Sequence, residues 1–368
     1  MSALIVNAGS SSLKLRLLGE DEAVLASVDL PALPGASGQL RDTLAGWPAP
    51  DWVAHRVVHG GRLFRGPVAI DDQVLEQMRS LIDLAPLHQP KSLSAIAAVR
   101  AELPETPAYA CFDTAFHASI PAKAATYAIP QRWRVDHGIR RYGFHGLSHG
   151  YCVERAGQLV DRPVDQLRIV SCHIGAGASI TAVLGGRSVD TSMGFTPLEG
   201  VVMATRSGSV DPGLLLWLAE HEGLAPHAIA EALENESGLL ALAGTADLRE
   251  VESRRAAGEE RATAAFEVYV HRLVTTIGAM TAAAGGLDVL VFTGGVGQNS
   301  TSVRAEVSNR LGHLGVAVDP ERDCAGGASD DSDRDIGVGA VRVLVIEARE
   351  DLQMVREVSA LRAAERLR

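Results

Sequence analysis

Three short stretches of small residues carry the donors that an anion needs. Asn7-Ala8-Gly9-Ser10-Ser11-Ser12 combines backbone N–H groups with hydroxyls, Gly175-Ala176-Gly177-Ala178-Ser179 repeats that chemistry, and Thr293-Gly294-Gly295-Val296-Gly297 leaves backbone room for a nucleotide. Such donors usually meet phosphate at the start of a helix. Here the first loop leads instead into Leu13, Leu15 and Leu17 alternating with Lys14 and Arg16, a period of two that predicts a strand. A loop between two strands can still bind phosphate as a nest of N–H groups, without a helix dipole behind it. The P-loop pattern G-x-x-x-x-G-K-[ST] is absent, as is a strand-to-helix G-x-G-x-x-G in the first half. One glycine-rich turn is most often only a turn, whereas three in this order point to nucleotide phosphates.

These stretches need elements to hold them. Around the first, the pattern is strand, loop, strand, the polar turn Gly19-Glu20-Asp21-Glu22, and a further strand to Leu30. The same order returns later: residues 168–174 read as a strand, the glycine loop follows, 179–184 read as a strand, Gly185-Gly186 as a hairpin turn and 187–192 as a third strand. The chain therefore reads as two related halves. Between them, residues 51–61 and 106–117 read as strands running into functional loops, and residues 73–101 as helical with Pro86 and Pro90 interrupting. Phe266, Val270, Leu273, Val274, Ile277 and Met280 share one helical face, predicting an amphipathic helix that ends at Gly285-Gly286. A buried strand, a glycine loop and a helix whose first turn lies near Ser300 come next, and a strand and terminal helix close the chain. Strands alternate with helices, and each half opens on an antiparallel meander. This predicts an α/β fold with one mixed sheet per half and a cleft between the halves, in preference to a TIM barrel or a sandwich. Residues 323–335 read as a surface loop.

Composition limits the partners. With 368 residues, 46% hydrophobic and 21% charged, the chain has enough apolar material for two packed domains. A formal charge of −11 disfavours nucleic acid and anionic membrane surfaces, so an anionic ligand must meet locally concentrated positive charge. Cys111, Cys152, Cys172 and Cys324 are widely spaced, without a C-x-x-C pair, and read as buried free thiols. With neither a secretory signal pattern nor a long uninterrupted apolar run, the cytoplasm is the expected location.

At this point the motifs converge. "VNAGSSSLK", "HRVVHGG", "LAPLH", "FDTAFH", "RRYGFHGLSH", "VDTSMGFTPLEG", "TRSG" and "VFTGGVGQNS" together resemble the acetate kinase family, within the actin, Hsp70 and sugar-kinase superfamily. The resemblance implies a duplicated actin-like (ribonuclease H-like) fold. Residues 1–117 plus 352–368 would form one domain, closed by the terminal helix, and 118–351 a second with the nucleotide site. It also implies reversible transfer of the ATP γ-phosphoryl group to acetate with Mg²⁺ (or Mn²⁺), and a homodimer. Acetate is already ionised at neutral pH, so the chemical difficulty is bringing two anions together, and cations should dominate the site. By the same resemblance, Arg56, Arg206 and His145 surround the transferred group. Asp113 positions the metal or orients the arginines, and Asn7 and Glu350 belong to the metal environment, with Asp351 one residue from Glu350. Ser10, Ser12, Lys14, His173, Gly175 and Gly177 serve the phosphates, while Asp247, Leu248, Arg249, Gly295, Val296 and Asn299 serve the rest of ATP. Val58, Leu87, Phe144 and Pro197, with Arg56, receive acetate.

Some residues depart from the family pattern. Ala176 stands where Asn is usual, Ser209 where Asp is usual, Gln298 where Glu is usual and Arg62 where Glu is usual. These changes spare Arg56, Arg206, Asp113 and His145 and fall around the nucleotide. A propionate or butyrate kinase is the alternative within the class, and a nucleotide-driven clamp of the actin or Hsp70 kind the alternative outside it. A glycosidase would need paired carboxylates, whereas the motif region is rich in Arg and His.

Overall fold

The computed structural model describes residues 2–9, 12–32, 37–86, 88–324 and 333–367. The expected alternations become two mixed six-stranded sheets flanked by helices. The first contains β1 (Ala3–Ala8), β2 (Ser12–Leu18), β3 (Val24–Pro31), β4 (Trp52–Val57), β5 (Val68–Ala69) and β6 (Ala108–Phe112), in the order β3-β2-β1-β4-β6-β5. The second contains β7 (Arg168–Ile174), β8 (Ala178–Leu184), β9 (Arg187–Thr191), β10 (Val289–Thr293), β11 (Arg334–Asp335) and β12 (Arg342–Val345), in the order β9-β8-β7-β10-β12-β11. The two orders are equivalent strand for strand. Each begins with an antiparallel meander, continues with two strands parallel to the first, and ends on a two-residue antiparallel edge strand.

The chain divides into two compact units: Met1–Ala118, Phe144–Tyr151 and Arg349–Arg368 in one, Ser119–Gly143 and Cys152–Ala348 in the other. In the first, alternation along β2 does what a period of two dictates. Leu13, Leu15 and Leu17 pack with Leu4, Val6 and Val53 against Ala95 and Val99 of the helix Gln89–Glu102. Lys14 and Arg16 face the opposite way, and Arg16 reaches Asp351 at the start of the helix Glu350–Arg366 at 3.0 Å. Pro90 does not interrupt a helix but sits in the first turn of Gln89–Glu102, where its missing N–H costs nothing.

In the second unit, the helix Glu260–Ala284 buries Phe266, Val270, Leu273, Ile277 and Met280 over β7, β8 and β9 and ends at a left-handed Gly285. Three expectations are corrected. The stretch Gly294–Asn299 is not a loop but a short helix, and Ser300 caps the next one, Thr301–Arg310, by accepting from Val303 N at 3.1 Å. Cys111, Cys152 and Cys172 are buried, but Cys324 is exposed at the end of the helix Pro320–Cys324. Of the surface loop expected at 323–335, Asp323 and Cys324 are helical and Arg334–Asp335 form β11; residues 325–332 lie outside the described residues.

The first unit buries four histidines, His55, His59, His117 and His149, and burial acts strongly on the first three. His55 shares its face of β4 with Val53 and Val57; burial, with the charge of Arg100, pushes its pKa down to about 3. Burial likewise holds His59 at about 4 and His117 at about 4, the latter against the opposing pull of the Phe144 carbonyl and Asp113. All three are neutral when folded and protonate when unfolded below about pH 6.5, so the unfolded state binds more protons and stability falls as pH drops from about 6.5 toward 4. Each costs about 2 kcal/mol at pH 5 relative to pH 7. Urea unfolding at the two pH values should show this loss, and His117→Gln should flatten its share of the slope.

Candidate active site

Arg56 is the centre of the first unit's polar cluster. It lies near the carboxyl end of β4, and its guanidinium forms a fork with Asp113: Nε to Oδ1 at 2.9 Å and Nη2 to Oδ2 at 2.6 Å. Nη1 donates to Asn7 Oδ1 at 3.2 Å and lies 3.6 Å from Glu350 Oε2. Four separate elements thus converge: β1 brings Asn7, β4 brings Arg56, the turn after β6 brings Asp113, and the terminal helix brings Glu350. Burial by itself would lower the Arg56 pKa, but Asp113 and Glu350 outweigh it, so the pKa is raised and the cation is fixed. Glu350 is pushed up by burial, with Arg56 opposing and Asp113 and Asp351 adding to the rise.

The neighbouring Asp351 has different partners. Arg16 and Arg349 hold its carboxylate, each at 3.0 Å at closest, whereas Glu350 faces Arg56. Lys14 pairs with Asp29 at 3.7 Å across β2 and β3, half exposed, and its charge also favours the ionised form of Glu350. Gly9 N donates to Ser12 O at 2.8 Å, closing the turn between β1 and β2. Ser10 and Leu87 lie outside the described residues.

The segment 144–151 completes this cluster. Phe144 is buried beside His59 at a ring separation of 5.5 Å, and His117 Nε2–H donates to its carbonyl at 2.9 Å. His145 takes a left-handed conformation, φ +57°, just before the helix Gly146–Leu159, and Gly146 N donates to Asp113 O at 2.8 Å. That approach leaves no space: a Cβ on Gly146 would stand 2.1 Å from the Asp113 carbonyl oxygen. Val58 follows β4 directly, partly buried.

In the second unit, Gly175 N donates to Gly177 O at 3.0 Å, forming the tight turn between β7 and β8. A Cβ on Gly175 would lie 3.9 Å from both Gly295 N and His173 Nε2, so His173, the glycine turn and the start of the Gly294–Asn299 helix are neighbours. Gly295 itself is exposed, and a Cβ there would meet nothing within 4 Å. Asn299 Nδ2 donates to Gly295 O at 2.8 Å, and Val296 lies between them, partly buried. Asp247 caps the helix Leu248–Ala256 and pairs with the exposed Arg249, while Leu248 is core. One turn along, Glu252 accepts from Ser300 Oγ at 2.5 Å and ties that helix to the end of Gly294–Asn299. Arg206 is partly buried, which lowers its pKa against the opposing Glu234. Among the described residues its side chain donates one hydrogen bond, Nη1 to Pro197 O at 3.4 Å, so most of its five donors remain for an anion.

A sequence model of the family described as the Acetokinase family matches residues 49–356. The chain belongs to that family. It is 41% identical to the acetate kinase of Geobacillus kaustophilus over 97% of this chain and 98% of that protein. It is also 41% identical to the acetate kinase of Deinococcus radiodurans, over 98% of each. Among solved structures it is similar to the acetate kinase of Porphyromonas gingivalis, at TM-score 0.89, 35% identity and coverage of 98% and 99%. It is similar as well to a propionate kinase of Francisella tularensis, at TM-score 0.90, 33% identity and coverage of 97% and 98%.

Three of the four positions that depart from the family pattern make local hydrogen bonds. Ala176 accepts from Ala204 N through its backbone at 3.1 Å, for which no amide side chain is needed. Ser209 holds Gly200 twice, its Oγ accepting at 3.1 Å and its N donating at 2.8 Å. Gln298 Oε1 accepts from Ala348 N at 3.4 Å. Two groups escaped the sequence reading. Arg304, fully buried, pairs with Asp323 and donates Nη1 to Gly297 O and Gln298 O at 2.8 and 2.9 Å, fixing the carboxyl end of the Gly294–Asn299 helix. Tyr127, Arg141 and Glu199 form a second network; Arg141 and Glu199 lie inside quoted motifs, but Tyr127 carries no sequence signal.

Gly146→Ala should displace the Asp113 carbonyl and lower stability by about 2–4 kcal/mol, as overpacking and lost backbone bonding do. Urea unfolding checks this; a Gly146→Ala protein as stable as the parent would contradict the close approach.

Proposed function

We propose that the protein transfers the γ-phosphoryl group of ATP to acetate, giving acetyl phosphate and ADP, and does so reversibly. The observation that carries this reading is Arg56, a partly buried cation held rigid by the Asp113 fork. The family to which the chain belongs supports the same reaction. An acetate oxygen attacks phosphorus while the bond to the bridging oxygen of ADP breaks, and no proton moves. The protein's task is to neutralise and align. In this reading Arg56 and Arg206 donate to the equatorial oxygens of the transferred group, where planar guanidinium forks fit better than an ammonium. His145 contributes a further donor, and Asp113 acts by holding Arg56.

Asn7 Oδ1 and Glu350 Oε2 both lie near Arg56 Nη1, at 3.2 and 3.6 Å, so two hard oxygen donors stand together. That suits Mg²⁺, which keeps several waters and takes few protein ligands. When bound, the metal would neutralise phosphate charge. Ser12 and Lys14 at the start of β2, the turn at Gly175 and Gly177, and His173 are read as phosphate contacts. The open space over Gly295, with Val296 and Asn299, supports adenosine there, beside the helix that starts at Asp247, Leu248 and Arg249. Val58, Phe144 and Pro197, with Leu87, are read as the acetate pocket. An apolar pocket separates propionate from acetate by only about 1–3 kcal/mol, so both acids should react. This assigns the second compact unit the nucleotide and the first, closed by the terminal helix, the metal-side carboxylates.

The helix Pro212–His221 buries none of its residues, and Leu214, Leu216 and Trp217 are 46%, 66% and 48% exposed. An apolar face of this kind favours a second copy of the chain as its cover. No helix among the described residues is long and apolar enough to cross a membrane.

With ATP and Mg²⁺, a hydroxamate assay should detect acyl phosphate from acetate, and less from propionate and butyrate. Arg56→Lys and Arg206→Lys should each lower kcat by about a thousandfold or more, in line with arginines that stabilise phosphoryl transfer. Wild-type rates in either variant would refute their assignment. Sedimentation should give a dimer, and Leu216→Asp with Trp217→Asp a monomer.

A further inference from the structure

We propose that Tyr127 is a positioning residue that sets acyl-chain preference through Glu199 and the loop between Gly194 and Glu199. The inference rests on the reading of Pro197 and Arg206 given above. Tyr127 stands just beyond the short helix Ala122–Ala125, and its Oη donates to Glu199 Oε2 at 2.5 Å while accepting from Phe195 N at 3.0 Å. Arg141 holds the other Glu199 oxygen at 2.7 Å and donates Nη1 to Ser192 O and Met193 O, each at 3.1 Å. Its guanidinium also lies over the Tyr127 ring, 5.5 Å from the centroid. The carboxylate is pressed onto the backbone: a Cβ on Gly194 would stand 1.8 Å from Glu199 Oε2 and 2.1 Å from Tyr127 Oη, so only glycine fits.

Both ends of the loop are therefore tied, and Pro197 lies between them. Its own attachment is weak, since Arg206 Nη1 reaches its carbonyl at 3.4 Å, the long end of the hydrogen-bond range. Within the loop Thr196 accepts from Gly194 N through its carbonyl and from Leu198 N through Oγ1, both at 3.3 Å, so the loop moves as a unit placed by its ends, and at the Phe195 end the Tyr127 hydroxyl is the link to Glu199. Burial, with the Glu199 hydrogen bond, raises the phenol's pKa, so Oη stays a donor throughout the working range. Tyr127→Phe removes two hydrogen bonds, one to a carboxylate, while keeping the ring and its volume. Nothing in this geometry requires Tyr127 or Glu199 to touch a substrate. Their influence passes through the placement of Pro197 and of the Arg206 donor bound to it.

The test compares wild type, Tyr127→Phe and Glu199→Gln for kcat and KM with acetate, propionate, butyrate and ATP, with thermal unfolding alongside. For Tyr127→Phe, kcat/KM with acetate should fall about tenfold, the scale of a lost charge-assisted hydrogen bond. Propionate should lose less, so the propionate-to-acetate ratio should rise about threefold or more, while KM for ATP stays within about twofold. A variant carrying Tyr127→Phe and Glu199→Gln together, measured in the same way, should lose no more than the worse single variant, because both act through one carboxylate. If Tyr127→Phe does not fold, Glu199→Gln gives the same readout. An unchanged ratio overturns the proposal, whether activity is intact or falls evenly across the acids and ATP. A wild type that phosphorylates none of these acids removes the underlying reading, which a competent wild type with an unshifted variant does not.

Discussion

The fork between Arg56 and Asp113 is the constraint on which the first unit depends. A guanidinium largely withdrawn from water is tolerated only when oxygens meet its donors, and a buried charge that loses its partner costs several kcal/mol. Arg56 is 18% exposed and Asp113 2%, so each needs the other in place. Asn7, Arg56 and Asp113 come from the carboxyl ends of β1, β4 and β6, which run parallel. Parallel strands bring those ends to one edge of the sheet, where an open α/β sheet presents its ligand groups. The Gly146 contact adds a backbone clamp on the Asp113 carbonyl, so the carboxylate is aimed from both sides of its own residue.

The two sheets share a topology but divide the chemistry. At the carboxyl ends of the equivalent strands the first sheet has Asn7 on β1, Arg56 on β4 and Asp113 directly after β6, and the second has His173 on β7, Thr293 on β10 and Ile346 directly after β12. Where the first has a buried ion pair, the second has small or neutral residues and glycine turns. Charge is concentrated at the edge of the first sheet, and open backbone at the edge of the second, around Gly295. The same edge recurs in both sheets, and the side chains and turns set on it differ.

Much of this was legible in the sequence because it is written locally. The alternation of Leu13, Leu15 and Leu17, the apolar face of Glu260–Ala284 and the glycine turns depend on near neighbours, and Arg56 and Asp113, which the structure joins in one fork, each lie in a motif of their own. The rest depends on partners distant in the chain. Gly294–Asn299 has the composition of a loop, yet it is helical, with its carboxyl end held by the buried Arg304. Pro90 reads as a breaker until its place in the first helical turn is known. Tyr127 and Glu199 lie 72 residues apart, and no periodicity joins them.

β5 and β11 are each two residues long, yet they lie antiparallel on the outermost parallel strand of their sheets. An uncovered parallel edge would offer a row of unpaired amides and carbonyls to any extended chain nearby. A pair of residues covers part of that row and is too short to be a template itself. Protection against aggregation was thus copied together with the fold, at the same position in both halves.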